Sequence, residues 1–207
     1  VKHLNPTLLF SMMQRPLWCW DMWQSGIPSV EALANYPEFG SGILEQASNL
    51  SGRLDSSITW EDIKWLRRLW KKRLVIKGIL NSDDALKAID HGVDAIVVSN
   101  HGGRQLDFAS STISILPEIR KAVGKDYCVM IDGGFRRGSE VAIALALGAS
   151  GVLLGRAYAF GLAADGRSGV EKAIEIFAKE ISITMKLMGV SSVDELKQFG
   201  DRYIRQR

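Results

Sequence analysis

The sequence predicts an α/β fold of consecutive strand–helix units in one parallel sheet, amounting to roughly the second half of a (β/α)8 TIM barrel. Three observations carry this. From about residue 74 onward, short apolar runs alternate with helical segments four times. The runs are continuous rather than alternating, as in strands covered on both faces. There is also a weak internal repeat. Ala88-Ile89-Asp90-His91-Gly92-Val93-Asp94-Ala95-Ile96-Val97-Val98 aligns with Leu145-Ala146-Leu147-Gly148-Ala149-Ser150-Gly151-Val152-Leu153-Leu154, each a helix end, a glycine and a strand.

The first predicted strand covers residues 74–79 and reads as buried. Asn81 or Ser82 then caps a helix whose first turn holds Asp83 and Asp84, where acid suits the dipole, and Gly92 stops it. Residues 95–99 are the second strand. A helix is expected from near Pro117 to Val123, closed by Gly124. Residues 127–131 are the third strand, Ser139 caps the next helix, and Gly148 ends it. Residues 151–154 are the fourth strand. Val170, Ile174, Phe177, Ile181, Met185 and Met188 recur at helical spacing up to Gly189. Upstream, Thr59 reads as an N-cap with Asp62 three positions on, and Trp65, Leu66, Leu69 and Trp70 as the buried face of that helix. The chain divides into residues 1–56 and 57–207. The first part reads as irregular, with Met12, Met13, Trp18, Trp20, Met22 and Trp23 close together. It is either a core-packing excursion or a segment for the membrane interface, where Trp is favoured.

Composition narrows the function classes. With 207 residues there is enough chain for one sizeable core, and a formal charge of +3 is too small to argue for nucleic acid. Cys19 and Cys128 are too few for a disulfide framework, so a reducing compartment is the default. No apolar run is long enough to span a bilayer. His3 and His91 have no partners at metal-ligand spacing, and no metal is expected; His91, at a helix end, reads as structural. The chain starts at Val1 in mid-pattern, which reads as a fragment or a processed product.

Chemistry concentrates at the carboxyl ends of the strands, the active face of such a barrel. After the second comes His101-Gly102-Gly103-Arg104. A neutral imidazole takes protons near neutral pH, and a guanidinium fork matches a carboxylate. The pairing suggests proton abstraction beside a carboxylate; alone, the four residues are equally a solvated turn. After the third comes Asp132-Gly133-Gly134-Phe135-Arg136-Arg137-Gly138, and after the fourth Gly155-Arg156. Glycine amides, a helix N-terminus and arginines at consecutive strand ends suit a phosphate. Lys77 interrupts an apolar strand, which is costly unless it points into a polar site or snorkels to water.

These strings, with Val75-Ile76-Lys77-Gly78 and Ser99-Asn100-His101-Gly102-Gly103-Arg104-Gln105-Leu106-Asp107, resemble the FMN-dependent α-hydroxy acid dehydrogenases and oxidases. The Trp-rich stretch, Gly26-Ile27-Pro28 and residues 60–70 look most like the membrane-associated lactate and mandelate dehydrogenases. The resemblance implies FMN-dependent oxidation of an L-2-hydroxy acid to the 2-oxo acid. His101 would take the substrate proton and Arg104 would bind the carboxylate. Lys77 would stabilise negative charge on the flavin and Ser99 would touch it. Asp132, Gly133, Gly134, Phe135 and Arg136, with Gly155 and Arg156, would hold the ribityl chain and phosphate. It also implies quinone or oxygen as electron acceptor, a homo-oligomer, and a cytoplasmic protein peripheral on the inner face of the cell membrane. The family's first four strands, with further flavin contacts and substrate-binding tyrosines, have no counterpart in these residues. A separate N-terminal half of the barrel is therefore an expected partner. The alternatives are an incomplete, non-catalytic fragment, or another phosphate-binding barrel enzyme.

Overall fold

A computed structural model describes residues 6–26, 29–33, 35–53 and 55–204. Lys2, His3, Ile27 and Pro28 lie outside them. The chain divides into two compact units, Val1–Ile58 and Thr59–Arg207.

The first unit is helical, where irregular chain was expected. It contains α1 (Pro6–Met13), α2 (Pro16–Ser25) and α3 (Ile43–Ser51), with short 3-10 turns at Glu31–Leu33 and Pro37–Phe39. Both α1 and α2 begin on a proline, whose missing N–H is not needed at a first helical position. Proline reads as a breaker in sequence, and here it starts helices. Gln46, almost fully buried, accepts the Val30 N–H at 2.6 Å and donates to the Gly40 carbonyl at 3.3 Å. No residue of α2 is buried; Trp18, Trp20 and Trp23 are all exposed, Trp23 by 74%. This exposure favours the membrane-interface reading of the stretch over core packing. Among the described residues no helix is long and apolar enough to cross a membrane.

The second unit opens with α4 (Trp60–Leu69), whose N-terminus has the expected cap: the Thr59 N–H donates to Asp62 Oδ2 at 2.7 Å. Its expected buried face is not buried. Trp65, Leu66, Leu69 and Trp70 are exposed, while Trp60 and Ile63 pack on the core. The sequence pattern marks apolar positions without telling which apolar stripe is covered.

Four parallel strands follow in the order β1-β2-β3-β4: β1 (Val75–Ile79), β2 (Ala95–Val98), β3 (Cys128–Ile131) and β4 (Gly151–Val152). β2 is buried throughout, and Ile96, Val98, Val129 and Ile131 form a core with the inner faces of the helices between the strands. Those helices are α5 (Ser82–Asp90), α6 (Thr112–Val123) and α7 (Gly138–Ala146), followed by α8 (Arg156–Met188) and α9 (Val193–Phe199). β1, expected to be buried, is buried only in part: Leu74 before it and Ile79 join the core, whereas Val75 and Lys77 are exposed, because among the described residues β1 pairs only with β2. β4 is shorter than expected, although the Leu153 N–H still donates to the Ile131 carbonyl at 2.9 Å.

Helix boundaries shift in three places. α6 begins at Thr112, five residues before Pro117, with the Ser111 side chain as its cap. α7 is not capped by Ser139; its N-cap position is Arg137, whose N–H donates to Glu140 in the helix's own first turn, while Glu180 of α8 accepts the Gly138 N–H. α8 begins at Arg156, well before Val170, and breaks at Asp165 and Gly166, where helical φ/ψ is lost. Of its expected apolar face Phe177 is buried, whereas Ile174 is exposed.

Candidate active site

The strand ends bring the charged motifs to one place. In β1, Gly78 (φ 106) adds an unpaired residue between Lys77 and Ile79, so that Lys77 pairs with Val97 and Ile79 with Val98. Such a bulge re-aims a side chain. Here Lys77 Nζ donates to Ser99 Oγ at 2.8 Å and lies 3.0 Å from Asp132 Oδ2. Ser99 is buried, and its Oγ also accepts the His101 N–H at 3.1 Å.

After β2 the backbone makes a tight left-handed turn: His101, Gly102 and Gly103 have φ of 55, 70 and 72. For His101, which has a Cβ, this costs about 1–2 kcal/mol, so something must hold it. Asn100 does: its Oδ1 accepts the N–H groups of Gly102 at 3.0 Å and Gly103 at 3.2 Å. The turn sets both His101 and Arg104 on the wall of a cavity of about 510 Å³.

The opposite wall is the loop after β3. Gly133 and Gly134 have φ of 99 and 85, a conformation that favours glycine and leaves the backbone open to close approach. The Thr112 hydroxyl donates to the Asp132 carbonyl at 2.6 Å. The loop then enters α7, where Glu140 Oε2 accepts the N–H groups of Arg136 at 2.6 Å and Arg137 at 3.0 Å. Glu180 of α8 accepts the Gly138 N–H at 2.6 Å and pairs with Arg137 at 3.0 Å; these two donors, the amide first, hold its carboxyl below the usual range. Beyond β4, Gly155 is the N-cap of α8, and Arg156 sits beside the His101 turn, its Nη2 3.9 Å from where a Cβ on Gly102 would stand.

Every candidate catalytic, substrate-binding or cofactor-binding residue singled out in sequence lies among the described residues. All of them line the cavity except Ser99, which lies behind it under Lys77. Sequence reasoning missed Asn100, inside the recognised string but without a role, and Thr112, read only as loop. His91 stacks on Trp60, with ring centroids 5.4 Å apart, and its Nδ1 is 2.7 Å from the Lys87 carbonyl. Among the described residues no group of His, Cys, Asp and Glu is arranged to hold a metal.

The cavity's chemistry can be tested against a phosphate-bearing cofactor and an acid substrate. Lys77, Arg104, Arg136 and Arg156 face it with one carboxylate, Asp132, an excess of three positive charges. A phosphate monoester carries about −1.5 to −2, and a substrate carboxylate adds −1. Asp132 Oδ1 is buried with no hydrogen-bond partner among the described residues. A buried acceptor is costly unpaired, and a ligand hydroxyl would satisfy it. The residues present therefore fit FMN.

The family model for FMN-dependent dehydrogenases matches residues 1–201. The chain belongs to the FMN-dependent dehydrogenase family. Among its members, the L-lactate dehydrogenase of Pseudomonas syringae pv. syringae is 42% identical over 195 residues, 94% of this chain and 51% of the relative. A peroxisomal (S)-2-hydroxyacid oxidase of Arabidopsis thaliana is 48% identical over 160 residues, 77% of this chain and 43% of the relative. The crystal structure of the monotopic membrane protein (S)-mandelate dehydrogenase superimposes with a TM-score of 0.86 at 37% identity, covering 94% of this chain and 51% of that one. The chain spans about half the length of the curated relatives it matches. The solved FMN-dependent dehydrogenases are TIM barrels, and the parallel four-stranded sheet is part of that architecture.

Proposed function

We propose that this chain carries the acid–base and phosphate-binding machinery of an enzyme that oxidises an L-2-hydroxy acid, lactate- or mandelate-like, to the 2-oxo acid. The observation that carries the reading is the meeting of His101 and Arg104 with the loops after β3 and β4 around one cationic cavity. FMN, when bound, would accept the two electrons that leave the substrate's α-carbon. His101 takes the substrate proton. Arg104 binds the carboxylate through its planar fork and so fixes the orientation in which the α-carbon and its hydrogen meet the reacting centre. Lys77, aimed by the bulge at Gly78, offers its ammonium to negative charge on the isoalloxazine edge, with Ser99 bracing it. The amides of Gly133 and Gly134, with Arg136, Gly155 and Arg156, take the phosphate, and Phe135 lines the same wall. Asp132 Oδ1 takes a ribityl hydroxyl. The acceptor that returns the enzyme to its starting state is a quinone or oxygen.

The exposed tryptophans of α2, together with the likeness to a monotopic membrane protein, support peripheral attachment to a membrane surface. The inner face of the cell membrane, and an assembly of identical copies, belong to the same reading.

His101→Gln and Arg104→Lys test it in the FMN-loaded enzyme. Loss of the base lowers kcat by about 10²–10⁴-fold while binding of an inert carboxylate analogue persists. Arg104→Lys raises KM strongly as well, since an ammonium cannot reproduce the fork. Unchanged turnover in His101→Gln would remove His101 from the chemistry.

A further inference from the structure

We propose that Asn100 is a positioning residue for this reaction: its carboxamide holds the turn bearing His101 and Arg104 in its left-handed form and stands between it and the phosphate loop at Gly133. The inference rests on the reading of His101 as base and Arg104 as carboxylate clamp.

Asn100 itself stands at φ −104, ψ 21, immediately before three residues of positive φ. Its Oδ1 collects the N–H groups of Gly102 and Gly103, and its Nδ2 donates to the Ser110 carbonyl at 3.3 Å. One side chain thus ties both ends of the 100–110 segment. The same Oδ1 touches the neighbouring loop. A Cβ built on Gly133 would stand 3.0 Å from Asn100 Oδ1 and 3.2 Å from Thr112 Oγ1. Thr112 is buried and holds the Asp132 carbonyl. Asn100 and Thr112 therefore fill the space on the Cβ side of Gly133, and the Asn100 side chain stands between the base-bearing turn and the phosphate loop. An Ala at position 100 removes the side-chain acceptor for the turn and the spacer against the loop, leaving only the Asn100 carbonyl, which accepts the Gly103 N–H at 3.0 Å. The strained His101 backbone then relaxes, and Arg104 moves with it. Displacement of a catalytic group by about 1 Å can cost 10²-fold in rate.

Asn100→Asp separates the functions of the amide. It keeps an acceptor oxygen for Gly102 and Gly103 but cannot donate to Ser110. It also places a carboxylate beside His101, whose charged neighbours around the cavity are Lys77, Arg104, Asp132, Arg136 and Arg156. A nearby anion favours imidazolium, so the acid limb of kcat/KM moves to higher pH.

The test uses the FMN-loaded enzyme with Asn100→Ala and Asn100→Asp, each checked for full FMN content. In Asn100→Ala the expected result is a loss of about 100-fold in kcat/KM, shared between kcat and KM. Amide hydrogen exchange at Gly102, which donates to the lost Oδ1, should be at least about tenfold faster there, while Gly103 keeps the residue-100 carbonyl as acceptor. Asn100→Asp should recover most of the rate above its shifted acid limb and keep both amides protected. The Asp variant also decides the matter should the Ala variant fold poorly. Native kinetics with a protected Gly102 amide in Asn100→Ala, or equal losses in both variants with no movement of the acid limb, would overturn the proposal. A wild-type enzyme that oxidises no 2-hydroxy acid would instead overturn the functional reading, a result read from a different sample.

Discussion

Lys77 shows how one side chain links the cavity to the stability of the strand that carries it. Its ammonium is the ion-pair partner of Asp132, whose carboxylate is mostly buried and whose other oxygen has no partner among the described residues. Lys77→Met leaves that carboxylate without its cation. The expected result is a cofactor-free protein less stable by about 1–3 kcal/mol, read by denaturant unfolding. Asp132→Asn in the same background should recover part of the loss, because the charge that needed pairing is gone. Lys77, His101, Arg104 and the glycine–arginine strings were legible in sequence because each breaks a local rule: a lysine in an apolar strand, or paired glycines beside fixed charge. Asn100 and Thr112 break none. Thr112 acts on a carbonyl twenty positions away, and no local pattern records that contact.

At the scale of elements, α7 is the helix that presents the phosphate loop, and its N-terminus is served from α8. Glu180 accepts the Gly138 N–H and pairs with Arg137, which keeps its folded-state pKa below the ordinary 4.5. A depressed carboxylate contributes stability that is present above the unfolded-state pKa and is lost as pH falls through the lowered value. Glu180→Gln should therefore weaken the protein at neutral pH and flatten its acid unfolding below about pH 4.5, measured as Tm against pH. Gly138 packs so closely on α8 that an added Cβ would stand 2.5 Å from the Phe177 carbonyl. Gly138→Ala should cost about 1–3 kcal/mol by overpacking and loosen FMN as the loop shifts. The strands and the helices between them were legible because each βα unit carries its own apolar run, cap and stop. The start of α7 was misread because its N-cap position is Arg137, a poor capping residue served by Glu140 three positions on and, at Gly138, by Glu180 from 42 positions away, and that of α6 because Pro117, tolerated inside the helix, reads as its beginning.

For the whole molecule, hydrophobic pattern identified the fold class but not exposure. The tryptophans of α2 look like Trp60, Trp65 and Trp70 around α4 in sequence, yet Trp60 packs on the core while Trp65, Trp70 and all three of α2 are exposed. For α2 the expected behaviour is adsorption: replacing Trp18, Trp20 and Trp23 with Ser should move the folded protein from pelleted anionic vesicles to the supernatant with Tm unchanged. A fall in Tm without change in partitioning would mark these rings as packing residues instead. The sheet has a further consequence. Its spatial order follows chain order, β1-β2-β3-β4, with no strand inserted out of turn. Each strand therefore docks on an edge formed just before it. Loop-closure entropy grows only slowly with the length of a connection, and no pairing must wait for a distant segment. The sheet can assemble vectorially as it leaves the ribosome, from β1 to β4. The turn after β2 that bears His101 and Arg104 would then leave the ribosome before the loop after β3 that faces it across the cavity.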